Sequence, residues 1–167
     1  MNTPPKHKDA APRKIKWTVG RHEKIGLPEL QLTNVKAKID TGAYGCSMHC
    51  SEIEELYRDG RHMLRVVPLQ RQKKEEERQS YYFEFRGRKI VKSSTGRAEK
   101  RYIIKTVVRL FGEEFPVEFS LTDRSNMKFP VLLGRTFLAK RFLVDVSTFN
   151  QSEKYLRKQQ HKQTTSV

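Results

Sequence analysis

The stretch Val35-Lys36-Ala37-Lys38-Ile39-Asp40-Thr41-Gly42-Ala43, VKAKIDTGA, decides how the rest of the chain is read. Its first five residues alternate apolar and charged, the period-two pattern of a half-buried strand. Asp, Thr and Gly then follow where such a strand ends. Alone, Asp-Thr-Gly is most often a turn in which Asp caps backbone amides and Gly takes a positive φ. The other reading is a catalytic carboxylate delivered by the strand. That reading asks for a partner carboxylate, and the chain contains no second Asp-Ser/Thr-Gly. Asp59-Gly60 lacks the middle hydroxyl residue, and neither Asp123 nor Asp145 is followed by Gly.

Working outward, the pattern is that of an all-β barrel or sandwich. HMLRVVPL (62–69), YYFEF (81–85), Tyr102 to Phe111, FPVEFSL (115–121), FPVLLG (129–134) and FLVDVS (142–147) all read as strands. RTFLAKR (135–141) suits one or two helical turns, and RQKKEEERQ (71–79) is a charged, solvated insertion. Ser51-Glu52-Ile53-Glu54 is a capping box, so a short helix is expected there, with Ile53, Leu56 and Tyr57 on one face and Gly60 as its C-cap. No βαβ alternation is present. The expected organisation is a disordered basic arm over 1–14, a barrel domain over 15–149 and a polar, basic, fraying tail over 150–167.

Length and composition bound the function. The chain has 167 residues, enough for one domain with a real core. Its formal net charge is +15, which favours anionic partners: nucleic acid, acidic peptide or anionic membrane. No apolar run approaches the length of a membrane span. The basic, Pro-rich start has no apolar core of a secretory signal, so a cytoplasmic protein is expected. Only 2 cysteines, Cys46 and Cys50, are present, too few for a disulfide framework.

Several ordered blocks together resemble one family. GLPEL, AKIDTGA, SSTGRAEKR, LTDRSNMKFPVLLGRTFL and FLVDVS occur in this order between residues 17 and 148. The set is similar to the bacterial retropepsin-like aspartic endopeptidases, once labelled ATP-dependent zinc proteases. The resemblance implies a retropepsin-like acid protease barrel with one or two short helices. It implies Asp40 as the catalytic carboxylate, supported by Thr41, Gly42, Ala43, Gly134 and Arg135. It makes Ser94, Thr95, Gly96, Arg97 and Arg101 a substrate-covering hairpin, although an ordinary exposed turn explains the same residues. After Ala43 the family usually reads Arg-Thr-Ser-Ala-Leu-His-Ala; this chain reads Tyr44-Gly45-Cys46-Ser47-Met48-His49-Cys50. The arginine is lost while Ser47 and His49 remain.

The chemistry of the class explains the single motif. Two carboxylates face each other across a water and share one proton, because like charges that close cannot both ionise. One deprotonates the water while the other polarises the scissile carbonyl. With one Asp-Thr-Gly per chain, the mate is Asp40 of a second copy on a two-fold axis, and a homodimer is expected. Some relatives are linked with a ligase that adds glutamates to a ribosomal protein, which points to an acidic peptide tail as substrate and to ribosome association. No cofactor and no metal are expected. Cys46, His49 and Cys50 suit zinc in kind, but packed cysteines are the stronger reading; no ATP-binding P-loop exists. The runner-up is a non-catalytic peptide- or RNA-binding module, motivated by Tyr44 and the basic surface; Tyr81, Tyr82, Phe83 and Phe85 could stack on single-stranded nucleic acid, though a barrel strand explains them at less cost. A metalloprotease ranks third.

Overall fold

The computed structural model describes residues 17–69, 78–92 and 96–164. The expected basic arm, most of the charged insertion and the hairpin tip with Ser94 and Thr95 lie outside the described residues. The strands are β1 (Trp17–Val19), β2 (His22–Leu27), β3 (Leu32–Ile39), β4 (Cys46–Arg58), β5 (Arg61–Pro68), β6 (Tyr81–Glu84), β7 (Arg88–Lys92), β8 (Ala98–Leu110), β9 (Glu113–Thr122), β10 (Val131–Leu133) and β11 (Phe142–Val144). The helices are α1 (Arg135–Leu138) and α2 (Gln151–Thr164).

The fold is all-β, as the patterning predicts, and it closes on itself. Neighbouring strands run β10-β3-β2-β8-β9-β4, and β10 also pairs with β4, so the circuit has no free edge there. Inward positions are apolar: Ile25, Leu27, Ala37, Met48, Ile104 and Phe119 are all buried. Beyond the barrel β4 continues outward, pairing with β5 and β5 with β6, to form a wing. β7 pairs with the outer half of β8 as a second hairpin. β1 and β11 form a small parallel sheet. Trp17 of β1 stacks on Phe111 at 4.5 Å and meets the edge of Tyr155 at 4.7 Å.

Two expectations are corrected. The capping box does not start a helix: residues 51–58 are the outer part of β4, and Ser51 Oγ donates to the Val67 carbonyl at 3.1 Å. Asp59-Gly60 decides the matter. Both residues have positive φ (51° and 72°), the two-residue turn that pairs Arg58 with Arg61 and continues the register to Cys50 opposite Pro68. A local cap loses to cross-strand pairing, because β5 covers the segment with Leu64 and Val66, both buried.

The C-terminal segment is also ordered. Residues 151–164 form α2, whose entry is held by a fully buried carboxylate on β2. Glu23 Oε1 accepts the amides of Gly20 (2.8 Å) and Gln151 (3.0 Å), and Oε2 accepts Ser152 (3.1 Å). The first turn of a helix has orphan N–H donors and a positive dipole end, so a carboxylate is the matching partner. Ser152 Oγ then accepts the Phe111 amide at 2.7 Å, and Lys24 pairs with Glu153 at 3.0 Å. Glu23→Gln puts an N–H₂ where an acceptor is required. We expect it to lower unfolding free energy by about 1–3 kcal/mol in urea titrations, with α2 amides losing hydrogen-exchange protection before the barrel.

Candidate active site

The site is built where β10 enters the barrel. β10 lies parallel to β3, with Leu133 opposite Ile39, and antiparallel to β4, with Val131 opposite Met48. β3 therefore ends beside β10, and its next residue is Asp40. The Asp40 amide donates to the Leu133 carbonyl at 3.0 Å, which extends the ladder by one bond. On the other side of the loop, the amides of Arg135 and Thr136 donate to the carbonyls of Ala43 and Tyr44, both at 2.9 Å. Gly134 sits at the crossing. A Cβ there would lie 2.2 Å from the Gly45 carbonyl oxygen and 2.8 Å from that of Ala43. Only glycine lets these backbones approach.

This frame presents the Asp40 carboxylate in one orientation. Oδ1 accepts the amides of Gly42 (3.0 Å) and Ala43 (3.1 Å). Oδ2 takes neither of these amides and lies 3.4 Å from Lys38 Nζ. The side chain is 24% exposed, enough to meet solvent or a second carboxylate. Arg135 Nη1 donates to the carbonyls of Thr41 (3.1 Å) and Gly42 (2.9 Å), so α1 grips the loop from outside. Thr41 and Gly42 are themselves exposed. The structure thus brings together Asp40, Thr41, Gly42, Ala43, Gly134 and Arg135. Tyr44 is 74% exposed, with the Arg135 guanidinium 5.9 Å from its ring centre.

The other sequence-predicted residues lie elsewhere. Gly96, with φ +81°, and Arg97 sit beside the tip of the β7–β8 hairpin. Arg101 lies on β8, where its Nε donates to Glu99 at 2.8 Å and its side chain is only 14% exposed. Strand parity sends Cys46 and Cys50 to one face of β4 and His49 to the other. Among the described residues, no group of three or more His, Cys, Asp or Glu side chains has a geometry that holds a metal ion.

A buried network behind β10 escapes sequence reasoning. Arg124 Nη1 donates to Ser47 Oγ at 3.1 Å and its Nε donates to the Phe129 carbonyl at 3.2 Å. Its backbone amide donates to His49 Nδ1 at 2.9 Å, and the His49 amide donates to the Pro130 carbonyl at 2.8 Å. Asp123 Oδ1 lies 3.5 Å from the same His49 nitrogen. A nitrogen accepting an amide proton cannot also carry one, so the shorter bond decides and His49 is neutral at that position. Ser47, His49 and Arg124 were visible only as residues of separate blocks; their buried contact is what joins the start of β4 to the loop feeding β10.

The cysteines are shielded. Cys50 Sγ reaches the carbonyls of Glu52 (3.0 Å) and Val67 (3.4 Å), and burial pushes its thiol up from about 9.0 to about 12. Cys46 is raised as well, again chiefly by burial, while its sulfur accepts the Gly134 amide at 3.4 Å. The unfolded chain releases the Cys50 proton near pH 9 and the folded chain holds it to about 12, so stability falls as pH rises across that window. Native protein at pH 8 is expected to resist iodoacetamide at both thiols and to react fully in guanidinium, read by intact mass. Gly134→Ala is expected to cost about 2 kcal/mol or more in a denaturant titration, since backbone rather than a flexible side chain must move.

A family model for RimB-like proteins, described as retropepsin-like aspartic endopeptidase RimB, matches residues 18–160. A protein of Shewanella pealeana named probable alpha-L-glutamate ligase is 35% identical over 135 residues, covering 79% of this chain and 29% of that protein. One of the same name from Parasynechococcus marenigrum is 37% identical over 133 residues, covering 78% and 28%. This chain thus spans less than a third of the length of these relatives. The crystal structure of Lpg0085 from Legionella pneumophila, a protein of unknown function, superposes with a TM-score of 0.66 at 25% identity, covering 82% of this chain and 98% of that one. An Asp40 loop clamped by β10 within a closed barrel, together with the family match over most of the chain, makes this protein a member of the RimB-like retropepsin-like aspartic endopeptidase family.

Proposed function

We propose that the chain is an aspartic endopeptidase that works as a symmetric dimer and cleaves acidic, glutamate-rich peptide tails. The observation that carries this reading is the presentation of Asp40. Loop amides hold Oδ1, the barrel holds the backbone, and the side chain keeps 24% of its surface exposed. A preorganised carboxylate of this kind needs little reorganisation when charge develops on the reacting water. In the dimer the two Asp40 carboxyls share one proton. The ionised one takes a proton from the bound water, and the protonated one donates to the scissile carbonyl oxygen. The tetrahedral intermediate then collapses, and the proton passes to the leaving amine. Arg135 keeps the Thr41 and Gly42 carbonyls in place throughout.

The substrate class rests on two supports. Relatives whose name is probable alpha-L-glutamate ligase carry a segment like this chain within a longer polypeptide. A cleaving and a joining activity in one protein are readily understood if both meet glutamate chains. The +15 charge attracts an acidic tail, with Lys38 beside the carboxylate. The β7–β8 hairpin, bearing Ser94, Thr95, Gly96, Arg97 and Arg101, would cover the bound peptide. Two free, buried thiols suit a reducing compartment such as the cytoplasm, where a ribosomal tail would be met. No helix among the described residues is long and apolar enough to cross a membrane.

The test uses purified protein and a peptide ending in a glutamate run. Wild type is expected to cleave it with a bell-shaped pH dependence, and Asp40→Asn to lose at least about a hundredfold in rate. Light scattering should return twice the chain mass. Equal cleavage by both proteins would remove Asp40 from the mechanism, and a strict monomer retaining activity would remove the shared-proton centre.

A further inference from the structure

The tip of the β4–β5 wing carries a cluster of basic and aromatic side chains far along β4 from Asp40. Arg58 and Arg61 flank the Asp59-Gly60 turn and face each other directly across the strand pair. Like charges in opposed positions repel, and a fold without use for them would place an acid at one. Among the described residues, the one acidic group within ion-pair reach of either guanidinium is Asp59. It lies 4.0 Å from Arg58 and is 92% exposed, so it neutralises little. Strand pairing sets Met63, Arg65 and Tyr82 on this same face. Arg58, Asp59, Arg61, Met63 and Tyr82 line an open cleft of about 450 Å³.

The walls of the cleft differ in kind. Tyr82 is 45% exposed, and the Arg58 guanidinium lies 4.9 Å from its ring centre. Met63 is half-buried at the base. The remaining aromatics of this segment turn away: Tyr81, Phe83 and Phe85 pack on the core, and Tyr81 donates from its hydroxyl to the Leu30 carbonyl at 2.5 Å. Of the YYFEF cluster, only Tyr82 is placed to receive a ligand here. Two guanidinium forks match a phosphate, while an aromatic face over a thioether matches a planar base. A carboxylate peptide would use the arginines but make no use of the ring face of Tyr82 that Arg58 does not cover. The cleft volume suits a single nucleotide unit.

We propose that this cleft binds a nucleotide unit of single-stranded RNA, with its base against Tyr82 and its phosphate between Arg58 and Arg61. The site stands at the far end of β4, up to about 40 Å from the Asp40 loop by strand rise, so it serves to dock a polyanion rather than to react. It makes no use of the protease reading and survives or fails without it.

Fluorescence anisotropy of the full chain with a labelled RNA octamer tests it, at several salt concentrations. Tyr82→Ala is expected to weaken binding by about 5- to 100-fold, and Tyr82→Phe to retain it, since the ring and not the hydroxyl stacks. Arg61→Ala should reduce the salt slope by about 0.7, the value for one lost phosphate contact on a single strand. Lys158→Ala on the exposed part of α2 removes the same charge as Arg61→Ala and should matter less than either wing variant. Competition by adenosine monophosphate as strong as that by the octamer would assign the cleft to a free nucleotide and uphold its chemistry. Wing variants that weaken RNA binding no more than Lys158→Ala would overturn the proposal. A glutamate octapeptide that needs Tyr82 as much as RNA does would overturn it too. Unchanged melting temperatures of these surface variants confirm that the comparison is between folded proteins.

Discussion

Everything at the Asp40 loop depends on one close approach. β10 can lie between β3 and β4 only because Gly134 offers no side chain to the Gly45 and Ala43 carbonyls. That insertion closes the barrel, since β10 is the strand that pairs with both neighbours. It also lends its backbone to the loop, through Leu133, Arg135 and Thr136. Closure and presentation of the carboxylate are therefore the same event. A residue with a Cβ at position 134 would push the β3 end and the β4 start apart, and Asp40 would lose its frame.

Around this crossing, buried polar groups hold loops to the barrel. Arg124 ties Ser47, Phe129 and, through its amide, His49. Glu23 does the same for the start of α2, with Ser152 completing the joint at Phe111. Such groups are costly when unpaired and modest in net effect when paired, so their main consequence is to select one arrangement of the loops. Their positions are chemically suggestive in sequence, yet their partners are backbone amides, a backbone carbonyl and a serine rather than a substrate.

The charge of the chain divides along similar lines. Many cations lie in short-range pairs on the strands, such as Arg65 with Glu54 and Arg101 with Glu99. Arg88 and Glu55 form another, joined by Tyr102 and His62. Hydrogen bonds from Tyr102 and then Arg88 hold the Glu55 carboxyl below its ordinary range. Other cations, such as Arg61 at the wing tip and Lys158 on α2, add to the net positive field. Steering of an anion toward the surface and recognition of one at a site are separate matters here; at the wing tip two arginines stand beside an aromatic wall.

The residues of the Asp40 loop and its β10 support were legible in the sequence. Strand alternation runs into Asp-Thr-Gly at one end, and an apolar pair runs into Gly-Arg at the other; both are local patterns with local causes. The strands read at 62–69, 81–85 and 115–121 were legible for the same reason, as period two is imposed by each strand on itself. The wing was not. Ser51 and Glu54 satisfy the local rule for a helix start, and only the Asp59-Gly60 turn and the buried partner strand β5 override it. Nor was the helix at 151–164, whose own polar sequence gives it little reason to dock until Glu23, from a strand far away in the chain, receives its first amides. Local propensity is written in neighbouring residues. Burial of a carboxylate, the opposition of two arginines and the passage of one backbone past another are set by contacts between segments distant along the chain, and these exist only once the barrel has closed.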